Sequence, residues 1–322
     1  MLQQQLLKHL KTELPPNTSL NEAVAVALEI SYDAAHRRTS GKSKFSLEEG
    51  IILAKYYDLS LDRLFENTKE EIIAVEKTTP IHNEKDLQCY FENSYKSLYP
   101  LLNQKESRIL YSAKDIPLFY TLENNLISRF KIYVWLKLLD SQMASKAFEQ
   151  FSLKLTTIKA ASGLGNLYEN LRIIEIWDIT TVNSTLKQIH FYNQAGLLSN
   201  KDALQLCLDL KDLIKKIAEK VKANNAKYAL YYNELLLMNN NVLVSTPRQQ
   251  SLFVPFTILS YFQTTDKITC RQAEEFLNKQ LQSSKLLNTT GEKEKLNFFN
   301  KIYKKINALY QLITATQTLD FE

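Results

Sequence analysis

Residues 30–42 read Ile-Ser-Tyr-Asp-Ala-Ala-His-Arg-Arg-Thr-Ser-Gly-Lys. Ser31 offers a side-chain oxygen to cap a helix, and Gly41 is free to take the left-handed conformation that ends one, so the spacing predicts a helix over 31–40. With Ala35 turned to a core, the helical period puts Asp33, His36, Arg37 and Ser40 outward and Tyr32 at the edge of that face. The stretch is therefore a short helix with a small-residue crossing point on one side. On its other side lie donors, acceptors and one aromatic ring.

The flanking sequence gives this helix a setting. A first helix is predicted over Leu2–Leu14, stopped by Pro15 and Pro16. Ser19-Leu-Asn-Glu22 has the pattern of a capping box and opens a second helix over 20–28. Only LEIS separates that helix from the next, with Ala25, Leu28 and Ile30 apolar, which is the spacing of two closely crossing helices. Ser46-Leu-Glu-Glu49 repeats the capping-box pattern at the start of a fourth helix, and Ser60 is expected to start a short fifth one, SLDRLFE. Residues 67–84 lose the periodicity, contain Pro80 and are assigned to a linker.

Residues 1–66 resemble a lambda-repressor-like (Cro/repressor type) helix-turn-helix domain. The resemblance is carried by LNEAVAVALEIS, by SYDAAHRRTSGK with its closing Gly41, and by SLEEGIILAKYYDLSLDRLF. It implies that the helix over 31–40 enters the DNA major groove, with Tyr32, Asp33 and His36 at base-reading positions, Arg37 and Ser40 following, and Lys42 and Lys44 on the phosphate flank. Two positions depart from the family pattern: Glu29 stands where the turn often has glycine, and Arg38 where an aliphatic residue often faces the core. Arg38 is accordingly assigned to snorkelling or to a carboxylate partner, away from DNA. The residues suit the task, since Arg and Lys bind phosphate or guanine and Asp accepts from cytosine. The region carries eight Lys/Arg against nine Asp/Glu, a net charge of −1, yet residues 34–47 hold Arg37, Arg38, Lys42 and Lys44 and no acid. A local patch of this kind implies modest, salt-sensitive non-specific affinity.

Residues 85–322 are read as a larger helix-rich domain. Long amphipathic stretches run through DLQCYFENSYKSLYPLL, DIPLFYTLENNLISRFKIYVWLKLL, ENLRIIEIWDITTVNSTLKQI and DALQLCLDLKDLIKKIAEKV. Two further helices, RQAEEFLNKQLQSSKLL and KEKLNFFNKIYKKINALYQLI, close the chain. Between Tyr228 and Phe256 the period changes, and a small antiparallel strand meander is expected. The fold class is thus mainly α: an N-terminal five-helix helix-turn-helix bundle followed by a helix-rich α+β domain. In RFKIYVWLKLL, Phe130, Tyr133 and Val134 share a helix side with Trp135 beside them, which describes core packing, an apolar ligand pocket or a dimer seam.

Composition bounds the function classes. The chain has 322 residues, 45% of them hydrophobic, only 6 Gly and 7 Pro, and a formal charge of +5. That mild charge selects no partner by itself. Cys89, Cys207 and Cys270 form no CxxC pair, which points away from a zinc site or a disulfide framework and toward a reducing cytoplasm. The start MLQQQLLKHLKTEL lacks the form of a secretory leader, and no long apolar window suggests a membrane span. His9, His36, His82 and His190 have no nucleophile or metal partner at a telling spacing, so no enzyme, metal or cofactor is expected. Ser162-Gly-Leu-Gly165 is read as a turn between helices, and the lysines at 211, 215, 216, 220 and 222 and at 301, 304 and 305 as solvated faces. The expected function is a sequence-specific, double-stranded-DNA-binding transcriptional regulator, dimeric through its C-terminal domain and open to a small-molecule or peptide effector. The alternatives are a peptide or protein receptor, and an interaction protein whose helix-turn-helix does not bind DNA.

Overall fold

In the computed structural model the described residues are 2–15, 18–59, 61, 73–104, 106–222, 224–236 and 239–318. The chain divides into two compact units, residues 1–74 and 75–322.

The first unit is helical: α1 (Leu2–Glu13), α2 (Leu20–Leu28), α3 (Tyr32–Thr39) and α4 (Leu47–Tyr56). Its core joins Leu6, Leu7 and Leu10 of α1 to Val24 and Ala27 of α2, Ala35 of α3 and Leu53 of α4. Ala35 is fully buried, so a small side chain is what lets α3 press against α2. The Ser46 capping box forms in both directions, whereas Ser19 begins α2 without a side-chain hydrogen bond, so the expected box at 19–22 is not made. The fifth helix expected from Ser60 onward falls almost wholly on residues outside those described.

The second unit is built on an eight-stranded mixed sheet of order β1-β7-β6-β5-β2-β3-β4-β8, much larger than the small meander expected from the sequence. β2 (Arg108–Ser112), β3 (Ile173–Trp177) and β4 (Tyr228–Tyr232) are parallel neighbours. β5 (Asn241–Ser245), β6 (Gln250–Thr257) and β7 (Ser260–Thr264) continue the sheet as an antiparallel meander. The edges are β1 (Glu76–Lys77) on β7 and β8 (Lys285–Leu286) on β4. Residues 76–77, assigned to the linker from sequence, thus belong to the sheet.

Helices connect and cover these strands: α5 (Glu84–Leu98), α6 (Leu126–Leu139), α7 (Leu155–Glu169), α8 (Asn183–Gln194), α9 (Asn200–Lys220), α10 (Lys267–Gln282) and α11 (Glu292–Thr318). Alternation along the strands divides the core between the two sheet faces. Ile109, Tyr111, Ile173, Trp177, Tyr228 and Leu230 join the main core with Phe91, Phe130, Tyr168, Leu210 and Ile306 from the helices, while Leu110, Ile176, Leu243 and Leu252 pack with Cys270 and Leu277 of α10.

Three expectations from the sequence give way here. RIIEIW, read as helix, is β3; a parallel strand covered on both faces has apolar residues on both, here Ile173 and Trp177 on one and Ile174 and Ile176 on the other, and loses the alternation that would announce it. β4, read into the meander, instead pairs parallel with β3 and carries the edge strand β8 on its other side. Ser162-Gly-Leu-Gly165 is likewise no turn but lies inside α7, where Gly165 admits the Phe119 carbonyl and Leu122: a Cβ there would stand 3.1 Å from the Phe119 oxygen. Phe130, Tyr133, Val134 and Trp135 are buried, and Phe130 and Tyr133 both meet Phe148 and Tyr192 edge-on, so this cluster is core packing.

Candidate nucleic-acid interface

α3 is set by its two ends. Ser31 accepts a hydrogen bond from the Ala34 amide, as its position before the helix suggested. At the other end Gly41 takes φ +79° and its amide donates to the Arg38 carbonyl, while the Ser43 amide donates to the Arg37 carbonyl. The turn before α3 is closed by Glu29 at φ 53°, ψ 40°, with its amide on the Val26 carbonyl and the Ile30 amide on the Ala25 carbonyl. This paired pattern ends a helix with a left-handed residue, and the glutamate occupies it at a cost of roughly 1 kcal/mol against glycine.

Side chains then lock α3 to its neighbours. Asn21 of α2 donates to the Tyr32 hydroxyl (3.1 Å) and accepts from the Thr39 hydroxyl, bridging the first and last turns of α3. Gln3 of α1 donates to the Arg38 carbonyl (2.7 Å) and the Ser43 carbonyl (3.0 Å) and accepts from the Phe45 amide, tying down the segment that carries Lys42 and Lys44. Neither Gln3 nor Asn21 has a sequence signal: one polar residue on a leucine-rich helix and one inside a presumed cap pattern do not announce contacts 35 and 18 residues away.

Arg38 is engaged inward. Its Nε and Nη2 donate to the two carboxylate oxygens of Glu49 at 3.1 and 2.6 Å, and its Nη1 donates to the Ala34 carbonyl. The Glu49 oxygen that accepts from Nε also accepts from the Ser46 amide. The hydrogen bond from Arg38 holds the Glu49 carboxyl below the usual carboxylate range, and Glu49 in turn stabilises the charged guanidinium.

With Arg38 withdrawn, what α3 presents is well defined. Tyr32, Asp33, His36, Arg37 and Ser40 are all exposed, and Lys42 and Lys44 are exposed in the segment that follows. Among the described residues, none of Arg37, Lys42 and Lys44 enters an ion pair, leaving three cations and the Tyr32 hydroxyl proton directed to solvent. Asp33 lies in the first turn, where the helix dipole favours an acid. Chemically the face can donate from Arg37, Lys42, Lys44 and Tyr32 and accept at Asp33 and Ser40.

Among the described residues, no group of His, Cys, Asp and Glu could hold a metal, and no helix is long and apolar enough to cross a membrane. Comparison of the chain with known protein families, with curated proteins and with solved structures found no match.

Proposed function

We propose that the chain is a sequence-specific DNA-binding regulator of the lambda-repressor-like helix-turn-helix type, with α3 in the major groove. The observation that carries this reading is the division of labour at the basic triplet. Arg38 is consumed by Glu49, while His36 and Arg37 stay on an exposed face with Tyr32, Asp33 and Ser40, and that face is continued by Lys42 and Lys44. Arg37 and His36 then address base edges, Tyr32 and Asp33 the start of the half-site, and the two lysines the phosphates on the flank. One such helix makes few contacts, so two copies on half-sites about one DNA turn apart are part of the proposal, with residues 75–322 as the dimerising and effector-responsive portion.

A second reading, a protein-docking module, is favoured by one observation: α4 exposes Leu47, Ile51, Ile52 and Tyr56. One experiment separates the two. Genomic fragments are selected with the purified chain at low salt, with Arg37→Ala and Lys42→Ala in parallel. The DNA-binding reading expects one enriched site for wild type, lost with Arg37→Ala and weakened with Lys42→Ala. No enriched site for wild type overturns it, and equal enrichment by both variants removes the assigned face.

A further inference from the structure

Within the second unit, α5 and the segment Glu76–Pro80 stand over the sheet and leave a cavity of about 490 Å³. Its floor is Ile109, Val242, Val244 and Phe253 from three adjacent strands, and Leu118 and Phe119 line it as well. We propose that this cavity binds a neutral, largely apolar small molecule that carries a hydrogen-bond acceptor, held between the hydroxyls of Tyr90 and Tyr261.

Size and lining both fit such a ligand, since small-molecule sites run from roughly 300 to 1,000 Å³ and combine apolar walls with a few convergent polar groups. Here the convergent groups are tyrosines. Tyr90, Tyr111 and Tyr261 all line the cavity, with Ser94 on the same lining. Each phenol carries one proton that an acceptor on a ligand could receive. Burial pushes all three phenols upward, so they remain protonated donors at any physiological pH.

The charged lining residues argue for neutrality. Asp86 accepts from the His82 amide, and the Lys77 ammonium lies 5.0 Å from the ring of Phe256, which does not line the cavity. The floor residues are all apolar, and the charged lining residues Glu76, Lys77 and Asp86 come from the segment 76–80 and from α5, so a charge placed against the floor would be desolvated without a counter-ion. The lining also includes Glu76, Lys77, Thr78, Thr79 and Pro80, the stretch that directly follows the boundary between the units at 74 and 75. Service as an effector site rests on the DNA-binding reading above; occupancy of the cavity does not.

The test uses prodan, a neutral naphthalene ketone whose emission shifts to the blue in apolar surroundings, titrated into the full chain. One saturable, blue-shifted site is expected. Tyr90→Phe and Tyr261→Phe should each weaken it about five- to tenfold, the loss of one hydrogen bond to a buried acceptor. Ser94→Trp fills the cavity and should abolish binding. Ser97→Trp, at an exposed position of α5 on the same lining, should do so with the least demand on folding. Arg37→Ala, in the other unit, should leave the dye titration unchanged. No saturable site in wild type, or undiminished binding by both tryptophan variants, overturns the proposal. Because the readout is dye emission, either result leaves the DNA-binding reading to its own test.

Discussion

Each unit of this chain organises a polar node around one glutamate, and the two nodes behave in opposite ways. In residues 1–74, Glu49 keeps 20% of its side chain exposed and accepts from a guanidinium and a backbone amide. In residues 75–322, Glu175 lies fully buried on β3. It accepts from the hydroxyls of Tyr120 (2.9 Å) and Tyr168 (2.8 Å) at one oxygen and from Trp177 (2.9 Å) and Tyr228 (3.0 Å) at the other. A cation lowers the pKa of the first; desolvation raises that of the second, even against four hydrogen bonds. The same side chain thus marks two strategies. The small unit places its polar residues near the surface to fix one exposed helix, and the large unit encloses them to fix a sheet.

The comparison can be broken most forcefully at Glu175. Glu175→Leu strands four buried donors, and a loss of more than about 3 kcal/mol is expected. Both tryptophans, Trp135 and Trp177, lie in the second unit, so urea unfolding followed by tryptophan fluorescence reads that unit alone. Glu175→Gln keeps one accepting oxygen and should lose distinctly less; equal losses for the two would mean that the hydrogen bonds do not hold the sheet.

At the other node, Arg38→Ala removes a bidentate, half-buried pair and should cost the first unit about 1 kcal/mol. Protease resistance of residues 2–59 in the full chain would read it, with the tryptophan transition unmoved. Glu29→Gly should raise the same resistance by a similar amount, because glycine takes the left-handed turn freely. A loss of resistance would show that the glutamate side chain supports the turn.

The smallest effect is in pH. Glu175, with its pKa raised on folding, contributes stability that is full below the ordinary carboxylate pKa and is lost as pH rises through its own. Glu49, lowered, contributes stability present above that ordinary value and lost as pH falls through its own. A tenfold change in proton affinity on folding is worth about 1.4 kcal/mol at either residue. Glu175→Gln should therefore remove a declining slope from the tryptophan-detected stability above pH 4.5, and an unchanged profile would contradict the assignment.

Legibility in the sequence differs between the units for a physical reason. The caps at Ser31 and Ser46, the left-handed Gly41 and the inward alanine are local, and local chemistry is readable along the chain. So is the withdrawal of Arg38, though its partner Glu49 reads only as a capping residue. Gln3 and Asn21 act at long range and leave no local sign. In the second unit the buried strands β2 and β3 stay hidden because apolar side chains on both of their faces leave no strand period to distinguish them from a buried helix. With them hides Glu175, whose four donors lie as many as 55 positions away from it in the chain. The cavity under α5 is equally invisible, since its lining comes from five strands, one helix and the segments around Thr78–Pro80 and Leu118–Phe119.

The proposed DNA-binding reading gives the neighbouring arginines on α3 opposite duties, and one measurement reaches that claim directly. The affinity of the full chain for its selected DNA site is determined at fixed low salt for wild type, Arg37→Ala and Arg38→Ala, at a temperature where circular dichroism shows all three equally folded. Arg37→Ala should weaken binding at least about tenfold, the worth of one base or phosphate contact, and Arg38→Ala by less than about twofold. Equal losses, or a larger loss for Arg38→Ala, would contradict the assignment.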